Sequence, residues 1–458
     1  LEIKSRSKLP VRRAKIKIVN TLSRNKIVLS LAILALATAA VFAPDGVFAG
    51  LAGILFLILL FRNPVFGIAA VIFAAFLGEF GRVELGGVSF LILDLVAIST
   101  FGIWFARKLW RKEKIVLDRI SGALAFFWLV AILSLLAGFS ELSTAEFKFS
   151  ILHFLRFVGI SGLIFVARDL PKKDAARVFQ ILIFGGVIFA LVGFALFQIL
   201  PNFTDAGLVE LGWDPHIGRL TSTFLDPNFA AGAFAFLLAI VGGKFLRERK
   251  FGRRILLLSV VGIFGIALLL TFSRSGLLAL GVGGIILGIF ADRKILLAGI
   301  VVAILGISSS SRLADRVDEL AQSVESLGGE SQQVLDPTAQ LRVNSWNDGL
   351  RIFREKPLLG VGFGAYKFHQ NFSNENSHAA TGSDASLLNI AATTGIVGLG
   401  AFLIFLWNLG VESFRAKNWG LLAGLGGLLV HAIFVNSLFF APLATIFFVA
   451  AGLTAKSK

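Results

Sequence analysis

LLLSVVGIFGIALLLTF, residues 256 to 272, is apolar on every face of a helix and not on one stripe. A helix of that kind belongs in lipid. Similar runs recur along all 458 residues, where hydrophobic residues make up 56% of the chain and mean hydropathy is +0.83. The longest polar stretch is 309 to 384, too short for the two or three soluble domains that such a length would otherwise give. The fold class expected is an all-α polytopic membrane protein of about 12 to 14 transmembrane helices, with one long, partly helical extracytoplasmic loop.

The net charge of +16 does not point to nucleic acid, because Lys and Arg gather in short segments between the apolar runs. Spans are expected near 27–43, 47–61, 65–80, 89–106, 120–139, 148–167, 177–199, 227–243, 255–272, 276–290, 295–308, 385–411, 419–437 and 440–454. Alternating them puts RKLWRKEK (107–114), RDLPKKDAAR (168–177), KFLRERKFGRR (244–254), DRK (292–294) and FRAK (414–417) on the side of the basic N-terminal residues. All five then obey the positive-inside rule. The organisation expected is a basic cytoplasmic tail over 1–26 followed by an uncleaved first span. Transmembrane helices over 27–308 carry an outer loop near 200–226, and an extracytoplasmic loop covers 309–384. C-terminal spans and a short cytoplasmic tail fill 385–458. In a bacterium this is a multi-pass protein of the cytoplasmic membrane with both termini inside.

Zero cysteines exclude disulfides, thiolate metal sites and a cysteine nucleophile. In the long loop, Leu313, Val317, Leu320, Val324 and Leu327 alternate at spacings of four and three, an amphipathic helix pattern. The acids among them, Asp315, Asp318 and Glu319, alternate with arginines and read as a solvated face, not as a metal site. A second helix is expected over Leu341 to Arg354, with Arg342, Trp346, Gly349 and Phe353 on one face. An arginine on that face needs a partner.

Charge inside a span costs about 2.5–3.5 kcal/mol at a helix centre, so each retained charge needs a reason. Asp94, His153 and Arg156 lie about 7–12 Å below the outer surface at ~1.5 Å per residue. Arg274, in TFSRSGLL, occupies a tight turn at the outer ends of two spans, and Arg219 lies in the outer loop shortly before Asp226, Pro227 and Asn228. Asp226 is placed to cap the next helix, with Pro227 at its first position. Each residue alone has a bland reading: an Arg156–Asp94 structural pair, a snorkelling Arg274, a loop cation at 219. Together they describe a cationic cavity facing outward. Arginine grips phosphate oxygens in pairs and stays charged at any relevant pH.

Four stretches carry a resemblance: GRLTSTFLDPNFAAGAFAF (218–236), TFSRSGLLAL (271–280), RVNSWNDGLRIFREKPLLGVGFGAY (342–366) and LLNIAATTGIVGLG (387–400). In order and spacing over roughly 200 to 410, the chain resembles the O-antigen ligase and O-antigen polymerase family of membrane glycosyltransferases. The resemblance implies transfer of a glycan from undecaprenyl pyrophosphate to an acceptor on the outer face of the cytoplasmic membrane. The reaction would be inverting and metal-independent, with no cofactor and no nucleotide sugar. The partners implied are the lipid-linked glycan, a glycan, lipid or protein acceptor, and the bilayer. By motif match Arg219 and Arg274 would hold the pyrophosphate, with Arg342 as a further candidate and Asp94 and Arg156 in support.

The family places a histidine about eleven residues before the glycine that opens GIVGL. Counting back from Gly395 reaches Asp384 instead, and His378 lies six residues earlier in NENSHAATGSD. Either could take a proton from an acceptor hydroxyl; Asp384 could equally cap a helix, and His378 could be a solvated loop residue. His216, His369 and His431 read as structural. GVGFGAY (360–366) lacks the preceding strand and the Lys-Ser/Thr ending of a nucleotide loop, and reads as a turn packed on the membrane domain. The competing class is a flippase or transporter of a lipid-linked or anionic substrate. The sequence shows no internal repeat of the kind such proteins carry.

Overall fold

Backbone groups in hydrocarbon must be hydrogen-bonded within the chain, so a sequence this apolar resolves into helices. The structure is a computed structural model and describes residues 45–85, 88–296, 337–370 and 382–454. The expected spans 27–43 and, almost entirely, 295–308 lie outside the described residues, as do the amphipathic stretch 313–327, His378 and the carboxylates of 315–319. The chain divides into two units. The first contributes one described helix, α1 (Asp45–Arg62).

The second unit, from Pro64 onward, is built from α2 (Pro64–Leu77), α3 (Ile92–Trp110), α4 (Arg119–Ala137), α5 (Thr144–Asp169), α6 (Lys172–Ile199), α7 (Pro227–Arg247), α8 (Phe251–Leu270), α9 (Arg274–Phe290), α10 (Pro337–Glu355), α11 (Ser386–Arg415), α12 (Trp419–Phe434) and α13 (Ala441–Thr454). Among the described residues, seven helical segments are long and apolar enough to cross a membrane, and α9, α12 and α13 are shorter apolar helices. The protein is therefore all-α and polytopic. Seven is fewer than the fourteen spans expected, partly because α3 carries Asp94, Arg107 and Lys108. A small antiparallel hairpin was not expected: β1 (Arg82–Leu85) pairs with β2 (Val88–Leu91), Arg82 opposite Leu91. It delays the start of α3 to Ile92.

The helices pack through aromatic side chains and small residues. Phe127, Phe157, Phe363, Phe402 and Phe448 are buried in one continuous core, with edge-to-face pairs such as Phe127 to Phe402 at 5.0 Å. Gly243 of α7 lies against the backbone of Gly420 in α12, where a Cβ would overlap it. Such close approach replaces the hydrophobic drive that lipid removes.

The two ends of the bundle differ. At one end, Arg168 at the close of α5 pairs with Asp118, the N-cap of α4, and with Glu412 near the close of α11. Lys108 and Trp104 Nε1 both donate to Asp169, at 2.9 and 3.1 Å. The basic loops after α3 and α5 thus meet at this end.

Toward the other end, α11 breaks at Gly395, whose φ of 67° and ψ of −170° lie outside the helical region. The break exposes carbonyls that the loop after α10 uses. Val361 N donates to Ala392 O and Gly362 N to Thr393 O, both at 3.1 Å, and Ile396 N donates to Pro357 O at 2.8 Å. Ser134 Oγ in α4 adds a bond to Thr393 O at 2.6 Å. GVGFGAY is therefore packed on the membrane domain as its sequence implied, an inserted loop with Phe363 buried in the aromatic core. Gly395→Ala would place an L side chain in the left-handed region and drive its Cβ into the Leu358 carbonyl. The expected cost is about 3 kcal/mol or more, read as a lower melting temperature in detergent.

Candidate functional site

Around the inserted loop, the ends of six helices, the hairpin and the segment before α7 enclose a cavity of about 590 Å³. That is the size of an ordinary ligand pocket. Its floor is aromatic, with Phe157, Phe363 and Phe439, and its wall carries Arg82, Arg156, Arg342, Asp214, His216, Asp226, Asn228 and Asp384.

The FLDPN segment positions one wall. Asp226 is the N-cap of α7, its Oδ1 accepting from Asn228 N (2.6 Å) and Phe229 N (3.0 Å), with Pro227 first in the helix. This is the cap read from the sequence. Upstream, Arg219 Nε donates to Thr271 O at 2.9 Å and Nη2 to Asn228 Oδ1 at 3.1 Å. Arg219 and the TFSRS turn are thus neighbours although 52 residues separate Arg219 from Thr271. Ser273 is the N-cap of α9, accepting from Gly276 N, and Arg274 is the first residue of that helix, half-buried. Non-glycine residues with left-handed φ sit in both segments: Ser222, Leu225 and Phe272. Each costs of order 1–3 kcal/mol, and such strain gathers where function fixes the backbone. Arg219 and Arg274 are not among the residues that line the cavity, but Arg219 and Ser273 both bond to Asn228, which does line it.

The opposite wall comes from α10 and the residues before α11. Arg342, Trp346, Gly349 and Phe353 share the packed face of α10, as their spacing implied, while Leu341, Asn347, Leu350 and Arg354 are exposed. Trp346 packs at a tilt against Phe434, ring centres 6.0 Å apart. Asp384 is half-buried in the cavity, and its main-chain N donates to Ser345 Oγ at 3.0 Å. The N-cap of α11 is Ala385, not Asp384, so the capping role open to this carboxylate is not the one it takes. Burial pushes the Asp384 carboxyl up to about 6; Arg342 opposes the rise, and Asp226 and Asp214 add to it. The single tyrosine, Tyr366, is buried beside it, and burial raises its phenol well above the usual range.

Asp94 and Arg156 form an ion pair, and Leu91 N donates to the same Asp94 oxygen. Arg156 lines the cavity through its exposed part. Sequence reasoning missed Arg82, which pairs with Glu79 and donates to Ser89 Oγ at 3.1 Å across the hairpin. It also set aside two histidines. His216 faces the cavity, and its ring, Asp214 and Asp226 bring one ligand atom each within 4.8 Å of one another, a set able to hold a divalent cation. His431 is fully buried, its Nε2 bonded to Asn228 O at 3.0 Å. Only the Asp-x-His spacing of 214 and 216 signalled the first. Nothing local signalled the second.

Residues 256–403 match the family model described as O-Antigen ligase. The chain carries an O-antigen ligase domain. The matched stretch opens on the apolar run of α8 and includes Arg274, Arg342, Asp384 and the Gly395 break, whereas Arg219 and Asn228 lie before it. No curated protein matches the chain. An O-antigen ligase domain implies glycan transfer of ligase or polymerase type by an integral membrane protein.

Proposed function

We propose that the protein transfers a glycan from undecaprenyl pyrophosphate to an acceptor hydroxyl in this cavity, on the outer face of the cytoplasmic membrane. The observation that carries the reading is the meeting of Arg219 with the Ser273–Arg274 turn at Asn228, which lines the cavity that also holds Asp384. The acceptor oxygen bonds to the anomeric carbon as the bond from that carbon to the pyrophosphate oxygen breaks, a single displacement that inverts the centre. The acceptor proton passes to Asp384, or to His378. The pyrophosphate leaves with the bonding pair, and Arg219, Arg274 and Arg342 stabilise the charge that develops on it. Arg156, with Asp94, supports the donor side of the cavity.

Transfer is tested with purified full-length protein, a synthetic undecaprenyl pyrophosphate glycan and mixed cell-envelope acceptors, following release of the lipid pyrophosphate. Release with a new glycoconjugate supports the proposal and identifies the acceptor. Movement of the same lipid across liposomes without release overturns it in favour of a flippase. Metal independence is part of the proposal, and the Asp214, His216, Asp226 set makes it worth direct test. With millimolar EDTA present, and in His216→Ala, the rate is expected to stay within about threefold of wild type, since arginine can do the work of a Lewis acid here. A loss that Mg²⁺, Mn²⁺ or Zn²⁺ restores would assign the cluster to a cation and remove the metal-independent part.

A further inference from the structure

Asn228 joins more elements than any role given to it so far requires. Its Oδ1 accepts from Arg219 Nη2 at 3.1 Å and from Ser273 Oγ at 2.9 Å. Its main-chain N donates to the capping carboxylate of Asp226, and its main-chain O accepts from His431 Nε2 at 3.0 Å. His431 is held in turn by Ser437, with Nδ1 and Oγ 2.5 Å apart. One amide oxygen, fixed on the first turn of α7, therefore ties Arg219 to the N-cap of α9, the helix that begins with Arg274.

The chemistry of that oxygen matters. A carboxylate here would accept the same two hydrogen bonds, and more strongly, because the bond from the guanidinium would then join two opposite charges. It would also cancel the positive charge of Arg219 at close range. An amide oxygen accepts without net charge. We propose that Asn228 is a neutral clamp, a positioning residue that orders Arg219 against the Ser273–Arg274 turn without adding a negative charge beside the cations that bind a diphosphate. The inference rests on the reading that these arginines bind the donor pyrophosphate. It adds how two segments outside one another's sequence neighbourhood come to act on one anion.

The test uses the purified full chain in detergent and farnesyl pyrophosphate as probe, with melting temperatures measured alongside. Asn228→Asp is expected to melt at or above wild type yet bind the probe about tenfold or more weakly, because an ion pair replaces a bond to an uncharged acceptor. In an Arg219→Ala background the same substitution is expected to change binding by less than about threefold, since the coupled partner is gone. A role confined to packing would move the melting temperature and not this coupling. Asn228→Asp binding as tightly as wild type overturns the clamp. If Asn228→Asp does not fold, a folded Asn228→Ala decides: binding about tenfold weaker supports ordering of Arg219, and wild-type binding overturns it. Failure of the wild-type protein to bind the probe sinks the pyrophosphate reading together with the clamp. Wild-type binding with an indifferent Asn228→Asp sinks the clamp alone.

Discussion

Arg274→Ala is expected to lower glycan transfer by about 10²–10³-fold while the protein still inserts, purifies and melts near the wild-type temperature, the size of effect seen when one preorganised donor to a developing anion is removed. Arg274 opens α9, where the positive end of the helix dipole already favours an anion. In the proposed reaction its guanidinium supplies a charged fork to the same anion. Arg219→Ala is expected to lose as much activity but to melt lower, because Thr271 O and Asn228 Oδ1 each lose a hydrogen-bond donor. That loss is worth about 1–3 kcal/mol if the carbonyls stay buried. Arg274→Lys keeps the charge and loses the planar fork, so a partial loss is expected. Release of lipid pyrophosphate per enzyme, measured on protein of confirmed monodispersity, checks all three. Transfer within about threefold of wild type in both alanine variants would remove the arginines from the reaction.

The helices were legible because their evidence is local. Apolar runs bounded by basic segments placed α4, α5, α7, α8 and α11 within a few residues, and Asp226-Pro227 gave the start of α7 outright. The hairpin was missed because two four-residue strands in a run of span-like hydropathy give little periodicity; LGGV (85–88) was its only turn signal. The Gly395 break was also hidden. A helix that unwinds for one residue reads as continuous, and what fixes the break is a loop inserted from over thirty residues upstream. For the site, the charged positions in the spans gave one pairing but not what joins Arg219 to the turn that holds Arg274. Arg156 and Asp94 pair with each other, as their bland reading had it. Arg219 joins the turn that holds Arg274 through Asn228, an uncharged residue that no charge-based scan selects. His216 escaped for a different reason, since one of its two acidic neighbours, Asp226, lies ten residues further along the chain and only the fold brings it close.

Asp384→Asn is expected to separate activity from stability. The carboxyl is lifted from 3.8 to about 6 chiefly by burial, with Asp226 and Asp214 contributing and Arg342 opposing. A raised carboxyl binds its proton more tightly in the folded chain than in the unfolded one. The charged form is therefore penalised in the fold: not at all below pH 4, increasingly up to about 6, and in full above it. Removing the charge should stabilise the protein at pH 8 by of order 1–3 kcal/mol, with the gain fading as the pH falls toward 4. Catalysis has the opposite requirement. Only the carboxylate accepts a proton, so wild-type transfer should rise through pH 6 and level above it, and the asparagine variant should lose about 10²–10⁴-fold at the plateau. A variant that melts higher at pH 8 and no longer transfers would mark a carboxylate kept charged against the interest of the fold. One that melts higher and transfers normally would leave the burial argument standing and pass the proton to His378.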